Sequence, residues 1–221
     1  MNDIKSSLLR IKETIPSNVL LVAVSKTKPL PLLVEAYNAG QRHFGENKAQ
    51  EILDKAPHLS KDIKWHFIGH LQSNKVKQII PFTYLIHSVD SVKLLAEIDK
   101  KAGAINKIQD VLIQIHIANE ESKFGVPIDE LPSFIENTIN KFPNTRIVGL
   151  MGMATFTNVK DVVTEEFSTL KKAFKQIKTD YFIQESSFSE ISMGMSGDYE
   201  LAIEQGSTMI RVGSSIFRSR S

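Results

Sequence analysis

The 221-residue chain contains no cysteine. Disulfides, thiolate catalysis and cysteine zinc sites are therefore excluded, and the composition is compatible with a reducing compartment. Charge of one sign is also lacking, because 27 Lys and Arg against 25 Asp and Glu leave a formal net charge of +2. No basic block or aromatic-basic interleaving stands out, which argues against nucleic acid as a partner. No segment approaches membrane-spanning length, and Met1 to Lys5 leads into a mixed polar pattern unlike a signal peptide. The expectation is a cytoplasmic protein with no membrane association. Hydrophobic content of 42% and charged content of 24% are ordinary for a globular chain, so disorder and fibrous classes are not suggested.

What is present is organised around Val19-Leu20-Leu21-Val22-Ala23-Val24-Ser25-Lys26. This unbroken apolar run ends in a lysine and is stopped beyond by Pro29. Branched residues without polar interruption describe a strand covered on both faces, as in parallel sheets wrapped by helices. Lys26 then emerges at the carboxyl end of the strand, where α/β folds place their chemistry. Partial desolvation there would free its amine to form a Schiff base, although a strand-end lysine can equally extend to water.

The remaining chain repeats the strand-helix unit. A lead-in helix is predicted over residues 4–15. Strands are predicted at 19–26, 43–46, 63–69, 84–89, 111–117, 146–153, 191–194 and 208–212, with helices between them, including 128–142 and 164–177. Eight strands at crossover spacing point to a closed (β/α)8 barrel of the TIM type, with an open doubly wound sheet as the rival. No linker composition or short repeat divides the chain, so residues 1–221 are read as one domain.

A barrel of this kind places its phosphate site after the seventh and eighth strands. There the sequence carries Ser192-Met193-Gly194-Met195-Ser196-Gly197-Asp198 and Arg211-Val212-Gly213-Ser214-Ser215. Small residues let the backbone approach an anion, while Ser196 or Asp198 could also be an ordinary helix N-cap. A phosphate pocket beside a Schiff-base lysine suggests pyridoxal 5'-phosphate (PLP), an aldehyde that carries its own phosphate.

No metal site is expected. His66 and His70 have i, i+4 spacing, but on a strand this separates their Cα atoms by about 13 Å. Both read as hydrogen-bonding rim or loop residues, and His66 is also a candidate ligand contact. His87 and His116 read as satisfied interior histidines. Glu46 is open between an acid-base and a structural role. Glu120-Glu121 and Glu165-Glu166 read as solvated charges, and Phe167, Leu170, Phe174 and Ile177 as a core stripe.

Several motifs, in this order, resemble the pyridoxal phosphate homeostasis protein family, whose fold is similar to the barrel domain of alanine racemase. They are Ala23-Val24-Ser25-Lys26-Thr27-Lys28, Phe44-Gly45-Glu46-Asn47, Trp65-His66-Phe67-Ile68-Gly69-His70-Leu71-Gln72, Lys123-Phe124-Gly125, Gly149-Leu150-Met151-Gly152-Met153, Ser192-Met193-Gly194-Met195-Ser196 and Arg211-Val212-Gly213. The resemblance implies that Lys26, rather than Lys28, carries the Schiff base, and that Asn47, His66, Ile68, Ser88 and Met151 line the cofactor. It also implies that Ser192, Met193, Ser196, Gly213 and Ser214 hold the phosphate, with Arg211 facing the pyridine nitrogen. Arg218 stands where this family is associated with glycine. A guanidinium cannot readily give up a proton, so Arg211 would disfavour a protonated ring and leave it a weak electron sink.

Three functions follow as alternatives: a carrier that buffers or delivers PLP, a small PLP-dependent racemase, and a cofactor-free Schiff-base aldolase. Racemisation needs an acid-base group on each face of the Cα, one of which alanine racemase takes from a second domain. This chain ends a few residues after the eighth strand, so only Glu46, His66 or Tyr84 could substitute. The carrier is the preferred expectation, as a monomer or weak dimer that meets PLP-dependent apo-enzymes transiently.

Overall fold

The structure is a computed structural model that describes residues 3–119 and 124–217. The Glu120-Glu121 pair, Lys123 and Arg218 lie outside them. Among the described residues nine strands occur in chain order: β1 (Leu20–Val24), β2 (His43–Glu46), β3 (Lys64–Phe67), β4 (Thr83–Val89), β5 (Gln109–His116), the two-residue β6 (Val126–Pro127), β7 (Thr145–Gly152), β8 (Glu190–Met195) and β9 (Met209–Val212). All pairings are parallel, in the order β4-β3-β2-β1-β9-β8-β7-β5-β6. The additional pairing of β4 with β5 closes the sheet. Eight strands thus form the barrel, and β6 only extends β5 beside the wall. The expected (β/α)8 barrel is what the chain forms, and the open sheet is not. The seventh and eighth strands expected from the sequence are β8 and β9.

Side-chain alternation sorts each strand into two faces. Val22, Leu85, Leu112, Val148, Met151 and Met209 form the apolar filling of the barrel. Their strand neighbours point outward, where two larger clusters join the sheet to the helices. One of these holds Ile4, Leu8 and Ile11 of α1 (Ile4–Thr14), the lead-in helix, whose amphipathic stripe packs with Leu33 and Ala36 of α2 (Leu30–Asn38). Asp3 caps α1 by accepting from the Ser6 amide at 2.7 Å. The other cluster takes Phe167, Leu170, Phe174 and Ile177, the stripe expected on α7 (Lys160–Tyr181).

The remaining helices are α3 (Ala49–Lys55), α4 (Val76–Ile79), α5 (Val92–Gly103), α6 (Leu131–Thr138), α8 (Tyr199–Glu204) and α9 (Ser214–Phe217). The helix expected over 128–142 is shorter than its apolar pattern. Ile139 turns to extended backbone at φ −57° and ψ 132°, and Asn140 adopts φ 59°, a left-handed conformation that an asparagine tolerates. The short α9 has no counterpart in the sequence reading, because four residues are too few to show a helical period. Among the described residues, no helix is long and apolar enough to cross a membrane.

Candidate functional site

The strand carboxyl ends open into a cavity of about 510 Å³, within the size range of small-molecule sites. Lys26, just beyond β1, lies on its wall, as do Asn47 after β2, Ile68 after β3, Ser196 after β8, and Arg211, Gly213 and Ser214 at the end of β9. The lysine and both small-residue turns therefore meet at one mouth of the barrel.

The peptide carrying Lys26 is held on both sides. Ser25 Oγ donates to Glu46 Oε1 at 2.6 Å, and Lys55 Nζ donates to Glu46 Oε1 at 2.8 Å and to the Ser25 carbonyl at 3.0 Å. On the other flank, the Thr27 amide donates to Glu51 Oε1, which also takes Lys55 Nζ at 3.2 Å. Thr27 sits at φ 62°, uncommon for a β-branched residue and sustained only where neighbours over-determine it. Lys26 itself is exposed, so the expected partial desolvation is not seen. The strand stops one residue before Ser25, and the side chain leaves the packed interior altogether.

Glu46 is fully buried on the outer face of β2 and serves this scaffold instead of lining the cavity. Burial pushes its carboxyl up to about 7, outweighing the opposing pull of Lys55 and Ser25. Its Oε2 has no hydrogen-bond partner.

Across the cavity from Lys26, in the small-residue turns, Asp198 Oδ1 accepts from the Met195 amide at 2.5 Å and closes the turn after β8. Asp198 occupies the N-cap position of α8, but its side chain makes no cap bond to that helix. Gly194, near the end of β8, has φ 98°, and a Cβ there would lie 2.6 Å from that of Ala202. Only glycine meets both conditions. The two turns are tied together where the Gly213 amide donates to Ser196 Oγ at 3.2 Å.

Arg211 is 4% exposed. Its Nη1 donates to the carbonyl and hydroxyl of Ser192 at 2.8 and 2.6 Å, and its Nη2 donates to the Gly152 carbonyl at 3.1 Å. Burial draws the guanidinium down to about 10, against the supporting field of Asp198, so it stays charged at neutral pH.

Five expected ligand residues do not line the cavity. Ser88 follows His87 in the irregular stretch of β4 where the register against β5 shifts, and it is fully buried with its hydroxyl unpartnered, away from the cavity wall. Met193 alternates with Ser192 and packs in the outer core. Met151 belongs to the apolar filling below the mouth. His66 and Ser192 are also inside, fully buried, and Ser192 reaches the cavity only through Arg211.

The loop after β7 supplies wall residues that sequence reasoning missed, namely Met153, Thr155, Phe156, Thr157 and Asn158. Their signal was a hydroxyl-bearing stretch at the carboxyl end of a barrel strand. Glu166, expected to be solvated, is 6% exposed and holds this loop, accepting from the Thr155 amide and hydroxyl at 2.7 Å each and from the Asn119 amide at 3.2 Å. Its neighbours on α7 are core residues, so its face of the helix meets the barrel rim. His70 and His66 have separate partners, His66 lying between His43 and His87 inside the barrel. His70 stacks on Phe124 at 4.1 Å and lies 3.4 Å from Asp90. Among the described residues, no cluster of three or more potential metal-ligating side chains occurs.

Comparison with known proteins gives consistent results. The family model for the alanine racemase N-terminal domain matches residues 1–221. The pyridoxal phosphate homeostasis protein of Aquifex aeolicus is 39% identical over 90% of this chain and 86% of its own, and that of Homo sapiens is 40% identical over 90% and 76%. Among solved structures, PipY of Synechococcus elongatus with PLP bound superposes at a TM-score of 0.88, with 32% identity over 97% of this chain and all of its own. An alanine racemase of Clostridium difficile shares the fold at a TM-score of 0.78 and 12% identity, over 98% of this chain and 56% of its own. With a barrel, a strand-end lysine and this degree of identity together, the chain belongs to the alanine racemase N-terminal domain family and, within it, to the pyridoxal phosphate homeostasis proteins.

Proposed function

We propose that this protein binds PLP reversibly through Lys26 and acts in PLP homeostasis, buffering or delivering the cofactor without a dedicated turnover of its own. The observation that carries this reading is the convergence of Lys26, Asn47, Arg211 and the Ser196 and Gly213–Ser214 turns on one cavity. Asn47 supports the fit, since its Oδ1 is buried in the wall without a partner, as an acceptor awaiting a ligand hydroxyl would be. When bound, PLP supplies an aldehyde that a lysine amine converts reversibly to a C=N linkage with loss of water.

The chain's residues divide the remaining work. The Ser25, Glu46, Lys55 and Glu51 network aims the Lys26 backbone at the cavity. Ser196, Ser214 and the small-residue turns offer hydroxyls and close backbone approach to a phosphate. Arg211, cationic at neutral pH, presents a donor that resists giving up its proton to a ring nitrogen. The racemase reading needs a second acid-base group at the cavity, and the three candidates for it are elsewhere. Glu46 faces outward, His66 is inside the barrel, and Tyr84 sits at the opposite end. On this reading residues 1–221 form one cofactor-binding domain, working in the cytoplasm as a monomer or weak dimer that meets apo-enzymes transiently.

The test is the absorbance spectrum of wild type beside Lys26→Ala after incubation with PLP. Wild type should gain a visible band that borohydride removes, with the label on Lys26, and the variant should not. A colourless wild type would refute the reading and favour the aldolase. Exchange of the α-proton of alanine or serine in deuterated water should be slow or absent. Turnover of about 1 to 1,000 per second would make the protein a racemase.

A further inference from the structure

A column of hydrogen bonds crosses the barrel from its amino end to the cavity floor. His43 Nδ1 lies 2.9 Å from His66 Nε2, His66 Nδ1 lies 2.8 Å from His87 Nε2, and His87 Nδ1 lies 3.0 Å from Ser192 Oγ. Ser192 Oγ is in turn 2.6 Å from Arg211 Nη1. His66, His87 and Ser192 are fully buried, and His43, the first residue of β2, is half-buried at the amino end. The groups facing the column are the charges of Lys64 at His43 and Arg211 at His87, and the ring of Tyr84 beside His43 and His66.

Arg211 fixes the polarity of this column. A guanidinium has only donors, so Ser192 Oγ must accept from it, and the one remaining partner for the serine proton is His87 Nδ1. In the reverse arrangement Ser192 would accept from both neighbours and its own proton would be buried without a partner, the costly condition for a polar group. His87 then carries its proton on Nε2 and donates to His66 Nδ1. His66 likewise donates from Nε2 to His43 Nδ1. Every lone pair in the column points toward Arg211 and every proton away from it, so three imidazole dipoles present their negative ends to a buried cation.

We infer that His43, His66, His87 and Ser192 form a polarised column that positions Arg211 and sustains its charge, making the three histidines positioning residues for the cofactor's ring from as far away as the opposite end of the barrel. The polarity stands on the chain alone. Its consequence for the ring rests on the PLP reading.

Long-range nitrogen-proton NMR of ring-labelled histidine, in the protein without cofactor and after adding PLP, tests both parts. The expected result is the Nε2–H tautomer for His66 and His87 in both states at neutral pH, with ring protons that exchange slowly. His43→Gln keeps an acceptor for His66 and should preserve this pattern. His43→Leu removes it and leaves the His66 Nε2 proton without an acceptor, so that proton should exchange faster, the His87 and Arg211 side-chain resonances should shift, and the visible band of bound PLP should move. An Nδ1–H tautomer at His66 or His87 in wild type overturns the column. So does a His43→Leu protein whose His87 and Arg211 signals match wild type. If His87 shifts while the band of bound PLP stays in place, the link to the ring is overturned. An ordered column in a protein that never takes up PLP overturns the PLP reading, and with it the link to the ring, while the polarity is upheld.

Discussion

Replacing Glu46 with Gln isolates the electrostatic cost of the scaffold behind Lys26. The carboxyl is fully buried and titrates at about 7 in the fold, against 4.5 when free of it. At about 1.4 kcal/mol per tenfold change in proton concentration, that gap is worth about 3 kcal/mol. The sign follows from the direction of the shift. Between the two values the folded state holds a proton that the unfolded state has released, so this group's contribution is fully present below pH 4.5 and is lost as pH rises through 7. Glutamine mimics the protonated acid at every pH and makes no such contribution to the slope. Contributions from groups the substitution does not touch cancel in the difference. Urea unfolding of wild type and Glu46→Gln from pH 4 to 8 should therefore show wild type losing about 3 kcal/mol relative to the variant across that window. A difference that is flat, or that rises with pH, would mean that Lys55 at 2.8 Å already keeps Glu46 ionised in the acid range and that burial does not dominate.

Other substitutions probe the cavity and the barrel floor. Asn47→Leu removes the unpartnered Oδ1 from the cavity wall and should weaken PLP binding about tenfold in an absorbance titration, the value of one net hydrogen bond. Gly69→Ala would place a Cβ 2.2 Å from the Asn47 carbonyl oxygen. Because that atom is backbone, the variant should lose about 1–3 kcal/mol in urea unfolding and bind PLP more weakly. His43 titrates at about 4 in the fold against 6.5 outside it, through burial and the charge of Lys64. Its contribution is present above pH 6.5 and lost as pH falls to 4, so His43→Gln should lose less stability than wild type on acidification.

The β/α rhythm, the closed barrel and the end of the barrel at which Lys26 and the two small-residue turns meet were legible in the sequence because each depends on local pattern. Continuous apolar runs mark strands buried on both faces, a terminal lysine is carried to the strand end, and glycine and serine mark turns that admit an anion. The same continuity hid which face each side chain occupies. A strand covered on both sides shows no polar alternation, so nothing local distinguished Ser192 from Met193 as the residue pointing inward. Closure of the sheet decided it. Closure also brought His87 within 3.0 Å of Ser192, 105 residues away, and the packing of α7 against the rim turned Glu166 from a surface charge into a buried anchor. Sequence by itself determined the scaffold and the place of Lys26 at its rim, since these follow from periodicity and covalent order. Only the tertiary structure decided the polar interior, because a buried hydrogen bond exists only when both partners arrive from distant strands.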